Sequence, residues 1–124
     1  MLSVPTGMME SEFLAAVIDL AHAYQFKCAH FRPALTGRGW RTSVSADGKG
    51  FPDLVLTGRG RVIFAELKSD HGVLRLDQRG WIKALRESGA EVFVWRPADL
   101  PNLPEILARR AGTISLSTSK ERTL

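Results

Sequence analysis

The 124-residue chain predicts one small mixed α/β domain, a short sheet with helices on its faces. Three observations carry that expectation. Apolar residues near the N-terminus recur at helical spacing. Two apolar strand runs are joined by a Gly/Arg turn. A second helical stripe then leads into one more short strand.

Taken in order, Ser11 is a candidate helix cap, with Glu10 and Glu12 near the helix's positive end. Phe13, Leu14, Val17, Ile18, Leu20, Ala21 and Tyr24 follow at helical spacing and predict a helix over 11–25. Phe26 to Pro33 alternates, with Phe26, Cys28 and His30 on one side and Lys27, Ala29 and Phe31 on the other. This predicts a strand that Pro33 ends or marks as an edge. Residues 34–50 are rich in Gly, Ser, Thr and Arg and show no period. They predict a long loop with at most a short strand near 41–45. Strands follow at 53–57 and 61–67, joined by Thr57-Gly58-Arg59-Gly60, whose glycines supply positive φ. Ser69-Asp70-His71-Gly72 is a polar break. Leu76, Trp81, Ile82 and Leu85 mark a helix over 75–88, with Asp77 in its first turn and Gly89 just past its end. Glu91 to Arg96 reads as a strand that Pro97 stops. A short helix is expected over 102–110, and the Ser/Thr-rich end from 112 is expected to fray. The order is helix, strand, loop, strand, strand, helix, strand. No repeat or boundary divides residues 1–124, and the core falls at about 10–97.

The 44% apolar content is enough for one core, and no apolar run is long enough to span a bilayer. The N-terminus shows no basic, then apolar, then small-residue signal pattern, and Cys28 has no second cysteine to pair with. The expected setting is therefore reducing and cytoplasmic. The net charge of +4 is unevenly spread. Residues 32–61 hold six bases (Arg32, Arg38, Arg41, Lys49, Arg59, Arg61) against two acids, whereas residues 1–31 hold one base against three acids. A basic field leading into an acidic site suits a polyanion held by its phosphates.

That acidic site is the chemical centre of the chain. Glu66 and Lys68 are two apart, so on a strand they share a face. Asp53 opens the preceding strand, and a tight hairpin would bring it beside Glu66. Mg²⁺ and Mn²⁺ take oxygen ligands, and one or two carboxylates plus waters suffice. Blander readings exist: an exposed Glu66–Lys68 ion pair, or Asp53 as a turn residue after Pro52. His22, His30 and His71 sit at unrelated spacing and make no zinc site. Trp81 falls on a core stripe. Trp40 lies in the basic loop, where base stacking and a dimer contact are both open. Gly37-Arg38-Gly39 lacks the flanking strand and helix of a dinucleotide loop.

Pro52-Asp53 with Glu66-Leu67-Lys68 resembles the PD-(D/E)xK nuclease superfamily. Gly50 ahead of Pro52-Asp53-Leu54, then Gln78-Arg79-Gly80-Trp81, then Gly89 before the last strand, make the chain similar to its VRR-NUC group. The resemblance covers about 10–97 and implies a restriction-endonuclease-like fold with an αβββαβ core. It implies that Asp53, Glu66 and the backbone carbonyl of Leu67 hold Mg²⁺ or Mn²⁺, that Lys68 assists the attacking water or the transition state, and that Gln78 supports them. It also implies a first-helix glutamate, for which Glu12 matches best and Glu10 competes. Stand-alone members of this size are similar to phage nucleases, some of which act as dimers on branched DNA. The expectation is a metal-dependent DNA endonuclease acting on branched, flapped or Holliday-junction-like DNA. Homodimerisation would supply the second site for symmetric cutting. The setting would be the host cytoplasm if the chain is phage-encoded. Arg38, Trp40, Arg41, Lys49, Arg59 and Arg61 are the candidate DNA contacts. The alternative is a non-catalytic DNA-binding module on the same fold.

Overall fold

The computed structural model describes residues 7–31, 34–36, 39–41 and 45–112, with the side chains of 34–36 and 39–41 left aside. Helix α1 (Glu10–Ala23) leads into strand β1 (Lys27–His30). A hairpin of β2 (Ala34–Thr36) and β3 (Gly39–Arg41) follows. Then come β4 (Leu54–Gly58), β5 (Arg61–Leu67), α2 (Leu76–Glu87) and β6 (Glu91–Trp95). A 3₁₀ segment (Pro97–Asn102) runs into α3 (Leu103–Ala108). The main sheet has strand order β1-β4-β5-β6, antiparallel except for the parallel β5–β6 pair. That parallel pair requires the α2 crossover between its strands. The fold is thus the expected α/β architecture with its αβββαβ core.

Register sorts the side chains between two faces. Leu54, Leu56, Ile63, Ala65 and Trp95 join Phe13, Val17 and Ala21 of α1 and Leu103 and Leu107 of α3 in the main core. The alternate residues face the other way, where α2 covers them with buried Ile82 and Gln78 beside Val92. Phe51 links this second face. Its ring lies edge-on to Phe31, Phe64 and Trp81 at centroid distances of 5.6, 5.9 and 5.0 Å. Trp81 is therefore packed, and its indole N–H donates to the carbonyl of Asp47 at 2.9 Å, pinning the loop ahead of Gly50.

Two expectations change. The segment over 34–50 is not all loop: its first part is a two-stranded hairpin with Thr36 opposite Gly39. Strands of three residues are too short to show a period of two, which is why the pattern hid them. Residues 42–44, part of the strand expected near 41–45, lie outside the described residues, as does the expected frayed end from 113. In the β4–β5 turn only Gly60 of the two glycines takes positive φ, +75°. Its neighbour there is Arg59, at +54°. Gly58 instead stays in the strand, where the lack of a side chain admits the Gln25 carbonyl oxygen, which a Cβ would meet at 2.7 Å.

Candidate active site

The β4–β5 register places Leu54 opposite Ala65, so Asp53 lies opposite Glu66 one residue further along. Opposed residues in an antiparallel pair share a face, and here it is the α2 face. The Asp53 carboxylate accepts the backbone N–H of Leu67 at 2.8 Å, which fixes its direction. Glu66 is 2% exposed. One of its oxygens accepts a 2.9 Å hydrogen bond from the amide of Gln78. The other face of that amide is equally constrained, because its oxygen accepts the Arg75 N–H at 2.9 Å and caps α2. A helix cap and a carboxylate clamp are thus one side chain, and Gln78 can turn neither way without losing a bond.

Two carboxylates this close disfavour carrying two negative charges at once. Glu66 is pushed up to about 8, first by burial, then by the Asp53 charge and by a carboxyl–carboxyl hydrogen bond to Asp53. The charges of Lys68 and Arg75 pull in the opposite direction without reversing the shift. Lys68 continues β5 on the Glu66 face. It is half-buried, its backbone N–H is bonded to the Trp95 carbonyl at 3.0 Å, and its ammonium makes no ion pair among the described residues. The loop after it is tied down. The Arg96 guanidinium donates to the carbonyls of Ser69 and Gly72, and Asp70 accepts the Ala98 N–H at 3.1 Å. His71 is exposed on that loop.

Gly50 explains why this arrangement needs a glycine three residues before Asp53. Its φ is +88°, and a Cβ would lie 2.6–2.9 Å from Asp77 backbone and side-chain atoms. The chain entering β4 thus presses directly on the first turn of α2, which carries Gln78. These contacts bring Asp53, Glu66 and Gln78 together, and Lys68 acts on Glu66 through its charge.

Other candidate residues are placed differently. Glu12 accepts the Met9 N–H at 2.9 Å and caps α1, which packs on the opposite face. Among the described residues no group of three or more His, Cys, Asp and Glu side chains could hold a metal ion, so neither Glu12 nor Glu10 completes the Asp53–Glu66 pair. Arg61 is corrected from a DNA contact to a buried strut. Its side chain is 2% exposed, forms a bidentate pair with Glu91 at 2.8–2.9 Å, and donates to the Ile106 and Arg109 carbonyls. Arg59 is half-buried, and its guanidinium donates to the carbonyls of Ala108 and Tyr24. Both lie at the far end of the sheet. Arg61 is five strand residues from Glu66, which is about 17 Å along the strand. Lys49 is exposed in the loop that precedes Gly50. Arg38 and the side chains of Trp40 and Arg41 lie outside the described residues.

Arg75 was not legible as a site residue. It stands at the N-cap position of α2, reaches Asp77 at 3.2 Å and acts electrostatically on Glu66. Its only sequence signal is its place three residues before Gln78, which acquires meaning once the helix start is known.

A four-stranded mixed sheet flanked by helices, with an acidic pair across two neighbouring strands and a lysine two residues on, defines a restriction-endonuclease-like domain. The family model of the VRR-NUC domain matches residues 14–99, and the chain belongs to that family. It is therefore a nuclease-type DNA-processing domain, with DNA as its partner. No curated protein and no solved structure matches the chain. No helix among the described residues is long and apolar enough to cross a membrane.

Proposed function

We propose that the chain is a Mg²⁺- or Mn²⁺-dependent endonuclease that hydrolyses phosphodiester bonds in branched or flapped DNA. The observation that supports this reading most is the Asp53–Glu66 pair, two carboxylates opposed across β4 and β5, where burial and the Asp53 charge disfavour an ionised Glu66 and favour a cation between them. The donor set fits a hard divalent ion: two carboxylates and the Leu67 carbonyl, with water for the rest. Such an ion, when bound, lowers the pKa of coordinated water and offsets charge growing on the phosphate.

The remaining steps belong to the protein. Asp53 is held by the Leu67 N–H and Glu66 by the Gln78 amide, so the carboxylates need no reorganisation to receive a ligand. Lys68 projects on the same face and supplies a positive donor for the attacking water or a non-bridging phosphate oxygen. Arg75, 60% exposed at its side chain beside Asp77, supplies a positive charge for the neighbouring phosphate. A second copy of the chain would supply the second cut on a symmetric junction.

The test is cleavage of labelled junction, flap, duplex and single-stranded DNA with Mg²⁺, Mn²⁺ or EDTA. Cutting should require the ion, favour junction or flap, and disappear in Asp53→Ala, Glu66→Ala and Lys68→Ala proteins that remain folded by circular dichroism. Binding that is tight and salt-sensitive, with no cleavage under any divalent ion, would instead establish the non-catalytic DNA-binding module.

A further inference from the structure

The row of residues that crosses the sheet at the active site does not stop at the two carboxylates. His30 pairs with Leu54, and the Phe31 N–H donates to the Asp53 carbonyl at 3.0 Å, so Phe31 is the direct cross-strand neighbour of Asp53. The row therefore reads Phe31, Asp53, Glu66, Val94 from one edge strand to the other, all on the α2 face. Phe31 is 44% exposed, although a large aromatic gains most from burial. Its ring is nonetheless held. It meets Phe51 edge-on at 85°, and Phe51 is locked in turn by Phe64 and Trp81.

We propose that Phe31 is a base-stacking platform: it receives an unpaired nucleobase of the nucleotide next to the phosphate bound at Asp53 and Glu66. The proposal rests on the nuclease reading above and adds the part of the substrate that a metal site cannot recognise. An aromatic ring beside the acidic pair is of no use to a phosphate, which is charged and fully hydrated. A base is different, because every base has an apolar π-face that gains by leaving water. A ring held in advance loses little freedom on stacking. A base inside a continuous duplex is already stacked on both sides. One at a flap or junction has a free face, so this contact favours DNA whose pairing is interrupted at the cut. Opposed Cβ atoms in such a row are about 5 Å apart, which puts ring and carboxylate within one nucleotide of each other.

The experiment pairs a protein change with a substrate change. Flap substrates carry an abasic residue at each of the two positions on either side of the cleavage site, and kcat and KM are measured for the wild-type protein, Phe31→Tyr, Phe31→Leu and Phe31→Ala. At one position the missing base should lower wild-type kcat/KM by about tenfold or more, the range of a single base–aromatic stack. Phe31→Ala should show the same loss on the intact substrate and no further loss on the abasic one, the non-additivity expected of two halves of one contact. Phe31→Tyr should behave as wild type, and Phe31→Leu should fall with Phe31→Ala.

Equal sensitivity of wild type and Phe31→Ala to every missing base would overturn the proposal. So would full activity in Phe31→Leu, or a loss in Phe31→Ala that follows a change in sedimentation mass and identifies a protein contact. Equilibrium binding of a 2-aminopurine-labelled flap with Ca²⁺ separates this proposal from the nuclease reading. Quenching that depends on Phe31 sustains the platform even in a protein that cuts nothing. Binding without that dependence removes the platform and leaves the nuclease reading intact.

Discussion

Replacing Glu66 by glutamine should stabilise the metal-free protein, and by an amount that grows with pH. Glu66 in the folded chain rises from the ordinary carboxylate value of 4.5 to about 8. The sign follows from linkage. Between those two values the folded state holds a proton that the unfolded state has released, so stability falls as pH rises, and the fall is complete once pH passes about 8. At about 1.4 kcal/mol for each pH unit, the ceiling on that loss is roughly 5 kcal/mol for a side chain only 2% exposed. A domain of ordinary stability has about 5–15 kcal/mol in total, so the effect is large enough to see directly. Glu66→Gln keeps the shape and can still accept from Gln78, but it carries no charge to repel Asp53.

Urea denaturation in EDTA at pH 5, 7 and 9 provides the measurement, and the difference between variant and wild type cancels the titrating groups that do not interact with Glu66. That difference should be near zero at pH 5 and reach several kcal/mol in favour of Glu66→Gln at pH 9. Adding Mg²⁺ or Mn²⁺ should close the gap from the wild-type side. An ion at a hundred times its dissociation constant adds about 2.7 kcal/mol, while the variant gains little. Metal affinity of the wild type should also rise with pH up to about 8, because binding must displace the shared proton. Parallel pH curves for the two proteins, or a variant less stable than wild type at pH 9, would refute the account of the pair.

Other perturbations separate structure from chemistry. Arg61→Ala should destabilise the fold by about 3 kcal/mol, because it strands the Glu91 carboxylate. The double change Arg61→Met with Glu91→Leu should recover most of that in chemical denaturation. Arg59→Ala should lower stability by about 1–2 kcal/mol through its lost carbonyl contacts and leave the salt slope of DNA binding untouched. Lys49→Ala should reduce that slope by about 1 with no change in melting temperature. Gly50→Ala should cut kcat more than its effect on stability explains, because the new Cβ must displace the first turn of α2 and with it Gln78. Activity per folded molecule, corrected by circular dichroism, is the readout. Gln78→Ala should remove a cap worth about 1 kcal/mol and lower kcat while leaving KM within a few-fold.

What could be read in advance followed from periodicity and from pairs at short spacing. The apolar stripe of α1 and the two strands around residues 57–60 are long enough to show their periods, and Glu66 and Lys68 share a face by spacing alone. Asp53 becomes the neighbour of Glu66 only through the register, which a two-residue hairpin at Arg59-Gly60 imposes. Long-range contacts left no such trace. Arg59 and Arg61 sit in the most basic stretch, yet their partners are the Glu91 carboxylate and the carbonyls of Tyr24 and of α3 and its end, all 30 or more residues away. Nothing in local charge distinguishes a guanidinium awaiting phosphate from one already bonded to the protein. Phe31 was likewise legible as a strand residue, but its place beside Asp53 depends on the β1–β4 register. That register pairs strands far apart in sequence, with no tight turn to impose it.

The two ends of the β4–β5 hairpin divide the physical tasks of the domain. At the turn, positive charge is neutralised. Arg59 and Arg61 use their donors on α3 and Glu91, and Arg59 is held in a left-handed conformation that those bonds help to maintain. At the open end, the Asp53–Glu66 pair resists a second negative charge, because Lys68 and Arg75 do not bring Glu66 back to an ordinary carboxylate. A fold selected for stability alone would place the arginines where the carboxylates are. Keeping them about 17 Å apart along one strand stabilises the scaffold at one end and leaves the other able to bind what the protein lacks. Substitutions at the turn should therefore act on melting temperature, and those at Asp53, Glu66 and Gln78 on turnover. A turn variant that changed metal affinity at constant stability would show that the two ends are coupled rather than divided.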